Sequence, residues 1–386
     1  MIIYILFSTL ILFIANIDVS FSKNKLITKY ILFLFIILVI GLRYELGVDW
    51  LFYRNLFNGN NNSTLSIEPG YKLLSSFISF LGFDFWLFVC MISIFILLVL
   101  SHYFKKYSPF PLFCLSIYFI SSFGFNVEAL RQIITVAIFY IALNYYLNNK
   151  KKYYIILCLL ASYFHTSAML LLILPFIDGP LFKRLMKISV LIGLIMSAMG
   201  LYPIDTILAT LTLLPYNSYL EKVLLYSLPV STSNAFSFNL LFKVFIISYY
   251  FFKKKYIYSA FINKKRSLSI LSSLESLILI MLIVNVYLCK YGTITSRINE
   301  YFSPIFIILV SYLIMISKRR VNKIVFSFMF SCCTLISFIR FTSNEYFQKQ
   351  YLPYRNYLYF MIADKNKSLT REREQAVKLH WIERKK

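Results

Sequence analysis

Residues 28–53 read TKYILFLFIILVIGLRYELGVDWLFY, an apolar run that gives way at once to an arginine, two acids and two tyrosines. The run is long enough to cross a bilayer as a helix. The groups at its exit, Arg43, Asp49 and Tyr53 among them, must each be kept wet, paired or neutralised, so they point to binding or chemistry at the mouth of a membrane helix.

Composition agrees with that reading along the whole chain. Of 386 residues, 59% are hydrophobic and 19% aromatic, with mean hydropathy +0.71, and no water-soluble core could hide that much apolar surface. Lipid must therefore be the solvent. The net charge of +24 sits in short Lys and Arg clusters between apolar runs, as in loops held on the cytoplasmic side, which argues against nucleic acid as a partner. Cys90, Cys114, Cys158, Cys289, Cys332 and Cys333 all fall inside apolar segments, without a C-x-x-C pair or a nearby His, and read as packing residues. The first twenty residues lack a basic n-region and a small-residue cleavage site, so they are expected to form the first span.

Candidate crossings are 2–20, 28–42, 84–104, 109–125, 127–148, 153–177, 187–202, 237–252, 268–289, 301–317 and 322–340. The expected fold is an all-α polytopic transmembrane helix bundle of about 10 to 12 spans, in one membrane domain over 1–363, with a basic amphipathic tail at 364–386. Ser368 or Thr370 is the expected cap of a helix in that tail. Placing every basic cluster inside puts the N-terminus outside. One run resists this: 153–177 begins beside Lys150 to Lys152 and ends near Lys183 and Arg184. A re-entrant hairpin, broken at His165, Thr166 and Ser167 and opening outward, removes the conflict. Segment 203–236 is too apolar for a free loop and is expected to lie along the interface as a lid.

Polar residues then gather on the outer side. Arg43, Asp49 and Glu68 share one loop region, and they read either as solvated interfacial groups or as an arginine that binds phosphate or carboxylate beside a carboxylate base. Glu128, Arg131 and Gln132 share one helix face, as an internal ion pair or as an anion site. His165 is a structural histidine or the lining of a polar cavity. Arg297, with Glu300 a turn later, is a further candidate, while Arg340 and the Y-L-P-Y segment read as headgroup anchors. No D-x-D pair, phosphate-binding glycine loop or H-x-x-x-H pair occurs, so no metal or other cofactor is expected.

The order G-L-R-Y-x-x-G-x-D-x-x-x-Y at Gly41 to Tyr53, E-P-G-Y at Glu68 to Tyr71, L-R-Q at Leu130 to Gln132 and L-A-S-Y-F-H-T-S-A at Leu160 to Ala168 resembles the EpsG family of bacterial polysaccharide polymerases, relatives of the Wzy polymerases. Past residue 180 the likeness rests on S-R-I-N-E-Y-F at Ser296 to Phe302 and L-P-Y at Leu352 to Tyr354. The resemblance implies a fold similar to lipid-dependent GT-C-like glycosyltransferases, in the bacterial cytoplasmic membrane with its site facing outward. It implies capsule, exopolysaccharide or O-antigen synthesis by joining repeat units carried on undecaprenyl diphosphate. By the same analogy Asp49 is the expected general base, with Glu68 the substitute. Arg43, Arg131 and Arg297 would hold diphosphate, and Tyr53, Gln132 and His165 would orient it or the glycan. Partners would be the lipid-linked oligosaccharide, membrane lipid, a chain-length regulator and a flippase. A lipid-oligosaccharide transporter, an O-antigen-type ligase and a membrane acyltransferase built on His165 are the rival readings.

Overall fold

The computed structural model describes residues 1–20, 25–60, 67–211, 237–263, 267–362 and 367–383. Among these every regular element is helical, and the one β contact is an isolated bridge between Arg43 and Asn356. α1 (Ile2–Ser20) and α2 (Lys25–Ile36) come first, α2 running into a π-turn at Ile37–Gly41. Then follow α3 (Trp50–Phe57), α4 (Pro69–Phe80), α5 (Phe85–Tyr107), α6 (Pro111–Ser121), α7 (Phe123–Glu128), α8 (Leu130–Leu147) and α9 (Lys151–Phe164). A 3-10 helix (Thr166–Ile173), α10 (Leu174–Ile177), α11 (Pro180–Ala198) and α12 (Pro203–Leu211) lead to α13 (Phe238–Asn263) and α14 (Leu268–Tyr287). The chain ends with α15 (Gly292–Asn299), α16 (Ser303–Ile316), α17 (Arg320–Thr342), α18 (Glu345–Tyr351), α19 (Tyr357–Ile362) and α20 (Lys367–Glu383).

The protein is a helical membrane protein, and the described residues do not support the expected 10 to 12 spans. Among the described residues five helices, α1, α5, α8, α14 and α17, are long and apolar enough to cross, and α15 with α16 makes a sixth if that pair, bent by 64°, is one broken span. The other apolar runs are divided. Segment 109–125 splits at Ser122 into an 11-residue α6 and a six-residue α7, and 28–42 becomes the end of α2 plus a π-turn. α13 is long, yet Lys243 and Lys253 to Lys255 interrupt its apolar length. Composition misjudged these because protein interior and lipid tails are equally apolar, and α6 is buried against α1, α5, α16 and α17 along nearly its whole length. Of the expected lid, only α12 and its flanks are seen; 212–236 lies outside the described residues.

The chain does break and fold back at His165. Its backbone is extended (φ −157°, ψ 123°), α9 packs against the following 3-10 helix, and Tyr154 Oη donates to Leu171 O at 2.5 Å. The reversal brings Lys150 to Lys152 and Lys183 to one end of the bundle, where Tyr146 Oη donates to Asp178 (2.9 Å) and Lys183 pairs with it (3.3 Å). Other contacts define the same end: Arg320 donates to Ser20 O (2.5 Å), Asp18 Oδ2 caps α6 through Leu112 N (2.9 Å), and Lys106 donates to Asn144 (2.6 Å). Lys254 pairs there with Glu275 at 2.7 Å.

The opposite end is built differently. α1 starts there, with Tyr4 Oη donating to Tyr351 O (2.9 Å), and α5 starts there on an Asp84 cap that accepts from Trp86 N and Leu87 N. α7, the His165 reversal, α15, α18 and α20 meet at this end, and the candidate functional residues meet with them.

Candidate active site

After the π-turn the backbone of 42–44 is clasped by 355–357: Tyr44 N donates to Arg355 O (3.1 Å) and Tyr357 N to Leu42 O (2.8 Å). Gly47 then passes Glu128 so closely that a Cβ would lie 2.7 Å from Glu128 Cγ, and its φ of +82° independently favours glycine. The loop delivers Asp49 to the start of α3, where its carboxylate makes no capping bond and instead stands 3.8 Å from Arg297 Nη2 on α15.

Arg131, at the start of α8, is ion-paired with Glu68 through Nη1, and its Nε donates to Tyr53 Oη at 3.1 Å. Glu68 reaches this position because Pro69 opens α4 and Gly70 packs on α9, where a Cβ would stand 2.7 Å from Tyr163 O. Gln132 Nε2 donates to Arg297 O (2.7 Å), tying the start of α8, next to Arg131, to α15. The His165 ring shares a 2.7 Å hydrogen bond with Ser167 Oγ, which is 2.8 Å from Tyr301 Oη.

Two expected roles change with this geometry. Glu128 and Arg131 are not an ion pair: the Glu128 carboxylate accepts from Tyr346 Oη (2.5 Å) and Tyr351 Oη (2.6 Å), while Arg131 turns to Glu68. The break between α7 and α8 at Ala129 separates the two side chains that a continuous helix would have put on one face. Burial, then the charge of Asp49, pushes the Glu128 carboxyl above its ordinary range. Arg43 is set apart from the other arginines. It is buried beneath the loop, and its Nη1 donates to Ile40 O (2.5 Å) and Ser93 Oγ (3.1 Å). Burial pulls it down to about 10, so it stays cationic at neutral pH. Arg340 is exposed on the last turn of α17.

A second network escaped the sequence reading. Glu45, buried and with φ +52°, is ion-paired with Arg355, accepts from Thr370 Oγ1 (3.3 Å) and lies 3.8 Å from Arg54. Arg373 donates to the backbone oxygens of Glu45 and Pro353, and Arg54 pairs with Glu374 at 2.5 Å. The residues read as a tail thus include a helix, α20, packed on the loop that carries Asp49. Thr370 lies within that helix rather than at its cap. The R-N after Y-L-P-Y at Arg355 was the available signal, since a buried acid in the first loop requires a cation from somewhere.

Beside Asp49 a cavity of about 570 Å³ opens between the α6–α7 turn, α15, α17 and α18. Glu128, Arg297, Glu300, Ser122 and Ser296 supply its polar lining, and Phe123, Phe125, Phe338, Phe341, Tyr346 and Tyr351 its aromatic one. Arg297 lines this cavity and Arg131 does not, so the two guanidinium groups flank Asp49 from different sides; arginines can hold a diphosphate, and a carboxylate can take a proton from a hydroxyl.

A model described as the EpsG family matches residues 26–356, most of the chain but not α20. No curated protein and no solved structure matches.

Proposed function

The chain belongs to the EpsG family, which makes it a polysaccharide polymerase-type membrane protein, and from that premise we propose a specific reaction: transfer of a glycan from undecaprenyl diphosphate to another lipid-linked repeat unit. The observation that carries the proposal is the Asp49–Arg297 pair, tied through Gln132 to Arg131 at one end of the bundle. An acceptor hydroxyl attacks the anomeric carbon of the donor, its proton passes to Asp49, and the bond from that carbon to the diphosphate oxygen breaks. The leaving diphosphate keeps the electron pair, and Arg297 and Arg131 stabilise the charge that develops on it. Glu68 is the counter-charge of Arg131 until the diphosphate arrives, and Tyr53 holds the guanidinium in place. Gln132 and His165 position α15 and the His165 reversal around the site, and Arg43 supports the loop from beneath. The positive charge comes from arginine, and the reaction is proposed to need no metal.

The site faces outward in this reading. Lys105 and Lys106, Lys150 to Lys152, Lys183 to Lys187 and Lys253 to Lys255 belong to the other end of the bundle, which the positive-inside rule assigns to the cytoplasm.

Purified protein supplied with a defined oligosaccharide on a prenyl diphosphate tests the reaction. A ladder of products is expected; a single addition would indicate a ligase instead, and absence of any product would sink the proposal. Asp49→Asn should lower kcat by ~10²–10⁴, the usual contribution of a general base, with the protein still folded. Wild-type polymer from Asp49→Asn would remove Asp49 from the base role.

A further inference from the structure

The cavity beside Asp49 is lined by two kinds of group, carboxyls and aromatic rings, and together they select an occupant. On one side Glu128 already accepts two tyrosine hydrogen bonds, and a carboxylate has lone pairs for more. Glu300 is a second acceptor: Ser122 hydrogen-bonds its carboxyl and Lys243 and Arg297 lie within electrostatic reach, but its Oε2 is buried with no hydrogen-bond partner among the described residues. Phe341 and Tyr346 line the same cavity, the Tyr346 ring standing beside the Glu128 that its hydroxyl binds. A lipid tail would leave the Glu300 oxygen desolvated against hydrocarbon, which is strongly unfavourable. A second phosphate would meet two carboxylates. A neutral molecule rich in hydroxyl donors, with apolar C–H faces, suits both kinds of group, and the volume of about 570 Å³ is that of a small-molecule site. Position supplies the rest, because Arg297 lines the cavity and Asp49 lies 3.8 Å from Arg297, whereas Arg131 and Glu68 are not among the lining residues.

Resting on the transferase reading above, we propose that this cavity is the acceptor subsite. It takes the terminal sugars of the second glycan, with Glu128 and Glu300 accepting hydrogen bonds from sugar hydroxyls and the rings of Phe341 and Tyr346 against the sugar face. Donor diphosphate is then held on the Arg131 side of Arg297 and the acceptor on the Glu128 side, with Asp49 between them.

The test separates the two substrates. The donor is the repeat-unit oligosaccharide on a prenyl diphosphate, and the acceptor is the same oligosaccharide on a soluble aglycone that cannot act as donor. Glu300→Gln replaces the carboxyl whose Oε2 lacks a hydrogen-bond partner with an amide of the same shape. Ser296→Trp fills the cavity from an exposed position on α15, so it needs no repacking of the bundle. Each should raise the acceptor KM by about tenfold or more while donor KM and kcat at saturating acceptor stay within about twofold, the pattern of lost acceptor binding alone. An unchanged acceptor KM in both variants, or a donor KM that rises in step, overturns the proposal. Saturation-transfer NMR with the soluble glycoside gives a readout independent of turnover. If wild type binds it and Ser296→Trp does not, yet no donor is turned over, the subsite stands and the transferase reading falls. If polymer forms with wild-type acceptor KM in both variants, the transferase stands and the subsite falls. Wild-type protein that neither binds nor uses the glycoside overturns the proposal. So does saturation transfer to a sugar-free prenyl phosphate that Ser296→Trp abolishes.

Discussion

Replacing Arg355 with Met keeps an unbranched stem but removes the guanidinium that pairs with Glu45 and stacks over Tyr44. The Glu45 side chain is wholly buried, and Arg355 is 5% exposed, so the substitution strands a carboxylate out of reach of water. Removing one partner of a buried pair costs about 3–5 kcal/mol. Arg54 at 3.8 Å and the Thr370 hydroxyl at 3.3 Å remain, which argues for the lower figure. Because the network joins α20 to the loop at 43–49 and little else, the loss should appear as local opening. At about 1.4 kcal/mol per decade, 3 kcal/mol is on the order of a hundredfold in the opening equilibrium. Hydrogen exchange on the protein in nanodiscs reads this directly. Amides of α20 and of the loop should exchange about a hundredfold faster, and those in the middle of α5 should not change. kcat should fall as well, since Asp49 loses its fixed position. Adding Glu45→Gln should recover much of the loss by removing the stranded charge. Exchange in α20 within about threefold of wild type, or a double variant no better than the single one, would refute the argument.

Arg131→Lys keeps a positive charge but loses the fork that serves Glu68 through Nη1 and Tyr53 through Nε. At ~1.5–3 kcal/mol for a hydrogen bond to a charged group, kcat/KM for the lipid diphosphate donor should fall ~10–150-fold, and an unchanged value would remove Arg131 from diphosphate binding. Glu128 should leave a pH signature in thermal stability. Its carboxyl is raised in the folded protein by burial and by the charge of Asp49, so its contribution is complete below its ordinary 4.5 and is lost as pH rises through the raised value. Glu128→Gln is neutral throughout, and the difference in melting temperature between wild type and variant should shift in favour of the variant as pH rises; a constant difference would contradict the assignment.

What was legible in the sequence was the class of the protein and the set of polar side chains that gather at one end of the bundle. What was not legible was who pairs with whom. Spacing along a helix suggested Glu128 with Arg131, three residues apart, but each found a partner across the fold: Glu68 lies 63 residues from Arg131, and Tyr346 lies 218 from Glu128. Helical spacing says which groups can share a face if the helix is unbroken, and here Ala129 breaks it. The span count is unsupported among the described residues for a related reason. Apolar length is necessary for a crossing, but α6 is just as apolar at 11 residues because its neighbours are protein. The break at His165 was readable because charge, rather than apolarity, demanded it.

Both chain ends belong to the Asp49 end of the bundle. Tyr4 near the N-terminus bonds Tyr351, and Arg373 near the C-terminus bonds Pro353, so the segment 350–357 is held between α1 and α20 while its own backbone clasps 42–47. The first loop is therefore the middle layer of a stack whose outer layers come from opposite ends of the sequence. α20 anchors that stack at Thr370, Arg373, Glu374, Ala376 and Trp381, although it lies beyond the residues that the family model matches. A loop carrying the proposed base must hold one position against solvent and a large substrate. A left-handed Glu45 and a glycine at Gly47 have no helical hydrogen bonds to do it. Cross-chain contacts supply that rigidity, and changes in α20 should therefore be felt at Asp49 although no residue of α20 lines the cavity.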